Sequence, residues 1–121
     1  MYDLTMGAVE SRFAALIWEN EPISAAELAK LADRELNWKK TTAYTALKRL
    51  CEKGIFQNDR GTVTSVLSRE EFRASQSRRF LEDNCGGSLP AFIAAFTKKG
   101  ALSPGDLAEI RRMLDEYEKE V

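Results

Sequence analysis

The part of this sequence best suited to side-chain chemistry with another molecule is a short run of hydroxyls and cations. It comprises Lys39, Lys40, Thr41, Thr42, Tyr44, Thr45, Lys48 and Arg49. Lysine and arginine bind phosphate oxygens, and arginine also matches the acceptor edge of guanine. Threonine is short enough to let a helix approach its ligand closely. The chemistry that this combination favours is nucleic-acid binding.

The distribution of charge agrees with that interpretation, although the chain as a whole is nearly neutral at −1. Residues 34–60 hold seven bases and three acids, a net of +4, whereas residues 1–33 sum to −4 and residues 104–121 to −3. Because acidic segments flank the basic one, nucleic acid is attracted to this segment and not to the rest of the protein surface. We therefore expect a localised basic patch.

Enzymatic function is disfavoured by composition. The chain has no histidine, which removes the usual general base and the commonest metal ligand. Its two cysteines, Cys51 and Cys85, lie far apart and lack metal-ligand spacing. We expect two free thiols, no cofactor and no metal. A thiol-sensing role for either cysteine stays open as an alternative.

The run of hydroxyls and cations lies on a predicted helix, from about residue 40 to residue 53, which Gly54 ends. At about 100° per residue, Ala43, Leu47 and Leu50 share one side, with Ala46 and Cys51 at its edges. The other side carries Thr41, Thr45, Lys48, Arg49 and Glu52. Two amphipathic helices precede it, over about residues 6–19 and 25–34. The first is indicated by apolar residues at three- and four-residue spacing: Met6, Val9, Phe13, Leu16 and Ile17. The second begins with a capping box of Ser24 and Glu27.

A β-hairpin is predicted after the third helix. Residues 55–57 and 62–67 are rich in β-branched and aromatic side chains, and the turn-forming residues 58–61 separate them. Arg60 is expected near the tip. Three helices followed by a hairpin is the order of a winged helix-turn-helix, whose third helix enters the major groove. Arg60 would then contact the DNA backbone or minor groove. A winged helix that binds another protein instead remains the alternative.

The remaining chain predicts three more helices: one over about residues 69–84, one capped by Ser88 and closed by residues 98–100, and one opened by residues 103–106. Their apolar stripes exceed what one small domain core can bury, so we expect a second copy to cover them. The predicted dimerisation residues are Phe80, Leu89, Phe92, Ile93, Phe96, Leu107, Ile110, Leu114 and Tyr117. The alternative is that this tail folds back on its own domain. The predicted architecture is mainly α: a winged helix-turn-helix over residues 1–68 and a helical dimerisation tail over residues 69–121.

Nearly the whole chain resembles the penicillinase-repressor family, also called BlaI/MecI/CopY. The matching segments are residues 17–18, 22–28, 38, 41–50, 52–54 and 68–71, followed by residues 80–81, 86–89, 96 and 102–114. Most specific are the Thr-Thr-x-Tyr-Thr-x-Leu-x-Arg-Leu run and the later Gly-Gly-Ser-Leu. The resemblance implies a homodimeric repressor on palindromic operator DNA. It implies DNA contacts from Thr42, Thr45 and Arg49, with Thr41 and Tyr44 where some relatives carry Lys and Arg.

The resemblance also implies routes of release from DNA. In the β-lactam branch a membrane sensor-protease cuts before a phenylalanine that corresponds to Phe96, so the bond between Ala95 and Phe96 is a possible cleavage site. Relatives have asparagine where this chain has Ala95. The copper-responsive branch ends in paired Cys-x-Cys motifs, which residues 118–121 lack, so copper release is not expected.

The sequence also predicts the cellular location of the protein. Residues 1–5 include an acid and no basic flank, so they do not form a secretory signal, and no stretch approaches the length of a membrane span. We therefore expect a cytoplasmic protein with no direct membrane insertion.

Overall fold

The computed structural model of the chain describes residues 6–121, so the prediction on residues 1–5 lies outside the described part. The helices are α1 (Ala8–Asn20), α2 (Ala25–Leu36), α3 (Lys40–Glu52), α4 (Arg69–Cys85), α5 (Leu89–Thr97) and α6 (Pro104–Glu120). The strands are β1 (Ile23–Ser24), β2 (Phe56–Asp59) and β3 (Thr62–Ser65). The predicted class, a winged helix followed by helices, is confirmed.

The fold divides into two compact units, one ending at Arg79 and the other Phe80–Val121, with the division inside α4. The predicted functional division after residue 68 stays a prediction.

The first unit has a core to which α1, α2, α3 and the sheet all contribute. Phe13, Ile17, Leu28, Leu50 and Phe56 are at most 1% exposed. Full burial of a large apolar side chain stabilises the folded state by about 1.5–3 kcal/mol relative to leaving it exposed. The unit therefore holds α3 in place through a single continuous core.

Serine caps begin four of the helices. The hydroxyl of Ser24 accepts a hydrogen bond from the amide of Glu27 at 3.0 Å, which confirms one half of the predicted capping box. The carboxylate of Glu27 pairs with Lys30 instead, at 3.6 Å. Ser68 and Glu71 form a complete capping box, in which each amide donates to the other side chain, at 2.9 and 3.0 Å. These hydrogen bonds from Ser68 hold the pKa of the Glu71 carboxyl below its usual value. Ser88 and Ser103 cap α5 and α6 in the same way.

The sheet has the order β1-β3-β2, antiparallel throughout. The prediction of a hairpin is confirmed, but its turn is shorter than expected: Asn58 and Asp59 pair with β3, leaving Arg60 and Gly61 as the loop. Strand β1 was not predicted, because a two-residue strand has no pattern of its own and forms by pairing Ile23 with Val63.

The apolar residues predicted on α1 are not all buried: Phe13 and Ile17 are fully buried, whereas Val9 is 55% exposed. Val9 lies in the first turn of the helix, before the turns that cross the core. It borders a surface groove between α1 and α3 instead.

Candidate nucleic-acid interface

Helix α3 is fixed by the side predicted to face inward. Ala43, Leu47 and Leu50 are 2%, 3% and 0% exposed, and they belong to the core of the first unit. Because residues three and four apart share a side of a helix, burial of these three turns the hydroxyls and cations outward.

The C-terminal end of α3 is held by two further features. Gly54, at φ 81°, closes a Schellman motif: its amide donates to Cys51 at 3.0 Å, and the amide of Ile55 donates to Leu50 at 3.2 Å. The ammonium of Lys53 bonds the carboxylate of Glu10 in the first turn of α1 at 2.5 Å, with both side chains largely buried. The orientation of α3 is thus set at its end as well as along its inner side.

The outward side of α3, here called the polar face, is exposed as predicted. Its members are Thr41, Thr42, Tyr44, Thr45, Lys48 and Arg49, all exposed. The hydroxyl of Thr45 donates to the carbonyl of Thr41 at 2.9 Å, which leaves its methyl and both oxygen lone pairs available. The ammonium of Lys40 lies 5.8 Å from the centre of the Tyr44 ring, a cation–π distance.

The N-terminal end of α3 also suits an anion. Lys39 is the N-cap residue in extended conformation, with no side-chain cap bond among the described residues. The first amides of a helix have no partner within it and carry partial positive charge. Lys39 and Lys40, both exposed, add two full charges beside them.

The hairpin, or wing, presents Arg60 at its tip. Arg60 and Gly61 have φ of 54° and 92°, so both central residues of the two-residue turn are left-handed, as in a type I′ turn. The amide of Gly61 donates to the side chain of Asn58 at 2.9 Å, which helps to hold the turn. The exposed Arg60 is therefore held on an ordered turn.

The wing is attached to the end of α1 at its base and to the start of α2 beside its tip. The carboxylate of Glu21 accepts both the amide and the hydroxyl of Ser65, each at 2.8 Å. The amide of Ala25 donates to the carbonyl of Gly61 at 2.8 Å. Glu21 and Ser65 carry no local pattern in the sequence, because they lie 44 positions apart.

A groove of about 430 Å³ borders the Arg49 side of the polar face, between α1 and α3. It is lined by Val9, Glu10, Trp38, Thr41, Thr42, Thr45, Ala46 and Arg49. Sequence reasoning missed Val9 and Glu10 as neighbours of the polar face. Only the packing of α1 against α3 brings them there.

Comparison with known proteins agrees with the geometry. The model of the family described as penicillinase repressor matches residues 6–116. The chain belongs to the penicillinase repressor family. It is 26% identical over 106 residues to the penicillinase repressor of Bacillus licheniformis, covering 84% of this chain and 83% of that protein. It is 21% identical over 114 residues to the methicillin resistance regulatory protein MecI of Staphylococcus aureus, covering 91% of this chain and 93% of that protein.

In this family member, the predicted dimerisation residues are mostly exposed within the single chain. Phe80, Leu89, Ile93, Phe96, Leu107, Leu114 and Tyr117 are between 37% and 66% exposed, while Phe92 and Ile110 are half-buried. Phe92 packs edge-to-face on Phe80 at 5.9 Å and lies 6.0 Å from Phe96. No residue of α5 or α6 is fully buried. Ala95 and Phe96 lie exposed in the second half of α5.

The two cysteines are free thiols, both half-buried. Burial raises the pKa of the Cys51 thiol, and the neighbouring charge of Glu52 raises it further. Since the thiolate is the reactive form, this environment disfavours Cys51 as a sensor.

Residues 6–121 hold no group of three or more histidine, cysteine or acidic residues placed to bind a metal ion. None of the helices described has the length and apolar character needed to cross a bilayer.

Proposed function

We propose that this protein is a transcriptional repressor that binds palindromic operator DNA as a homodimer. The observation that carries the proposal is the two-sided character of α3. One side is sealed in the core at Ala43, Leu47 and Leu50, and the other presents exposed hydroxyls and cations. Membership of the penicillinase repressor family supports the same function.

Each part of the interface has a role in this proposal. Helix α3 lies in the major groove, where Thr41, Thr45 and Lys48 face base edges. The cations and free amides at its N-terminal end bind a phosphate. Arg60, on the wing, contacts the neighbouring minor groove or backbone. Of these contacts, those to base edges select the sequence, and the others add affinity and set the register.

The dimer is supported by the exposed apolar surface of the tail. Helix α5 is apolar on almost every side, with the sequence LPAFIAAFT, and α6 carries an exposed apolar stripe. Contiguous exposed apolar surface marks an interface with another protein chain. Pairing of two tails places two copies of α3 on one duplex about one DNA turn apart, which reads an inverted repeat.

Release from DNA belongs to the same proposal. Cleavage between Ala95 and Phe96 by a membrane sensor-protease would separate α6 from α4 and most of α5, removing half of the tail's apolar stripe. Both residues are exposed in the single chain, and the proposed dimer covers Phe96, so cleavage requires this end of α5 to open locally. Incubation of the repressor with the protease domain, followed by mass spectrometry, tests the position of the cut.

The deciding experiment is selection of bound duplexes from a random-sequence library, followed by titration of the selected duplex at several salt concentrations. We expect an inverted repeat, bound more weakly as salt rises because counterions are released. Replacing Lys48 and Arg49 together by alanine should abolish selective binding. The matched control is replacement of Lys98 and Lys99, which removes two adjacent exposed cations from the tail.

Two outcomes would contradict the proposal. One is the absence of any selected duplex, as expected of a winged helix that binds protein. The other is selective binding that survives loss of Lys48 and Arg49.

A further inference from the structure

The groove beside α3 carries an unbalanced positive charge. Its carboxylate, Glu10, is neutralised by the 2.5 Å ion pair with Lys53. The guanidinium of Arg49 has no ion-pair or hydrogen-bond partner anywhere in residues 6–121. A cation without a partner, at the edge of an open groove, suits an anion.

The other lining groups are mostly hydrogen-bond donors and small apolar surfaces. The hydroxyl of Thr42 and the indole N–H of Trp38 form no hydrogen bond to other described residues, and both side chains border the groove. The Trp38 ring is held by Phe13, with ring centres 5.0 Å apart. Val9, 55% exposed, and Ala46 supply the apolar part. The groove therefore combines donors for an anion with an apolar wall.

The position of the groove around α3 distinguishes it from the base-reading side. At about 100° per residue, Arg49 and Thr42 lie about 40° and 60° around the helix from Thr45, in the direction of Ala46. When a helix lies in a major groove, base edges are beneath its outermost side and the sugar–phosphate strands are at its flanks. Arg49 and Thr42 are on such a flank.

We infer that the groove holds one sugar–phosphate unit of the operator strand, with the phosphate on Arg49 and Thr42 and the deoxyribose against Val9 and Ala46. Charge complementarity identifies this occupant, because the groove offers donors and one free cation to a strand of phosphodiesters. The inference rests on the proposed function and makes Arg49 a residue that sets register rather than one that reads a base.

The first test uses the selected duplex with single phosphates replaced by neutral methylphosphonates, one position at a time. For the wild type we expect one position per half-site at which the replacement weakens binding about tenfold, equivalent to about 1.4 kcal/mol. The Arg49→Gln variant should lose that penalty at that position alone. It should also lower the slope of binding against salt by about 0.9 for each copy. Lys48→Gln is the matched control and should keep the penalty.

The second test places a negative charge at the edge of the groove. Val9→Glu should weaken binding about tenfold or more for every duplex, without changing the preferred sequence, because it repels the phosphate. Val66→Glu is the matched control: Val66 is 53% exposed and lies outside the groove, and we expect a smaller effect. Since Val9 is also exposed, circular dichroism should show an unchanged fold.

The inference is overturned if Arg49→Gln keeps every methylphosphonate penalty of the wild type. It is also overturned if the variant loses preference for one base pair while the penalties stay, or if Val9→Glu binds as Val66→Glu does. In these cases the wild type still selects an operator, so the proposed function stands. Failure of the wild type to select any duplex would instead refute the function.

Discussion

Replacing Leu114 by glutamate is the sharpest test of the proposed dimer. An apolar stripe on α6 consists of Leu107, Ile110, Leu114 and Tyr117 and continues to the C-cap residue Val121, with spacings alternately of three and four positions. That spacing produces a stripe along one side of the helix, which a partner helix can cover. Leu114 lies at its centre and is 55% exposed in the single chain.

The size of the effect follows from that exposure. Full burial of a leucine side chain is worth about 1.5–3 kcal/mol, so covering the exposed half yields about 1 kcal/mol in each copy. A buried carboxylate adds at least about 1 kcal/mol in each copy, since polar groups buried without partners cost about 1–3 kcal/mol. The dimer thus loses at least about 4 kcal/mol, which raises its dissociation constant about a thousandfold.

Sedimentation equilibrium over a range of protein concentrations measures the change. The matched control is Ala108→Glu, which adds the same charge at an exposed position on another side of α6. Glutamate is a good helix former, so circular dichroism should show that both variants keep α6. The reasoning is refuted if Leu114→Glu dimerises as tightly as Ala108→Glu, or if the wild type is a monomer at every concentration.

Three smaller predictions concern single positions. Gly61→Ala should lower the free energy of unfolding by about 1–2 kcal/mol, because the φ angle of Gly61 is 92°, where an alanine is strained. The control Gly105→Ala lies at an ordinary helical position and should not lower it. Thermal melts of the two variants test the difference. Glu71→Ala should lose stability near neutral pH. The capping bonds of the wild type hold the pKa of this carboxyl below the usual value of about 4.3. The difference in stability between wild type and variant should therefore shrink as the pH falls below that value. Thermal melts that show the same difference at pH 7 and pH 3 would contradict this. In a Cys85→Ser background, Cys51 should react with iodoacetamide more slowly than free cysteine at pH 8; an equal or faster rate would reopen its role as a sensor.

Much of the first unit was predictable because its signals are local. The caps at Ser24 and Ser68 depend on residues three positions apart, and the two sides of α3 depend on a period of 3.6. The turn at Gly61 was predictable for the same reason, although its length was not. Strand pairing decides the length, and pairing is a property of two segments together.

The features that the sequence did not reveal depend on distant contacts. The Lys53–Glu10 pair joins residues 43 positions apart, and the exposure of Val9 follows from where α1 crosses α3. An apolar residue at helical spacing predicts a core position on average, and a first-turn residue that extends past the core is the exception. In the tail, periodicity identified the apolar stripes, but a single chain does not determine what covers them.

The double hydrogen bond from Ser65 to Glu21 has a consequence for protein engineering. Glu21 is the C-cap of α1, so the angle at which β3 leaves the body of the protein is specified by a residue outside the hairpin. A chimera in which residues 56–65 are replaced by those of another repressor would have the tip residues of that repressor. The orientation of its hairpin would still be set by Glu21 of this chain. We expect such a chimera to acquire the DNA preference of the other repressor only if residue 21 is exchanged together with residues 56–65.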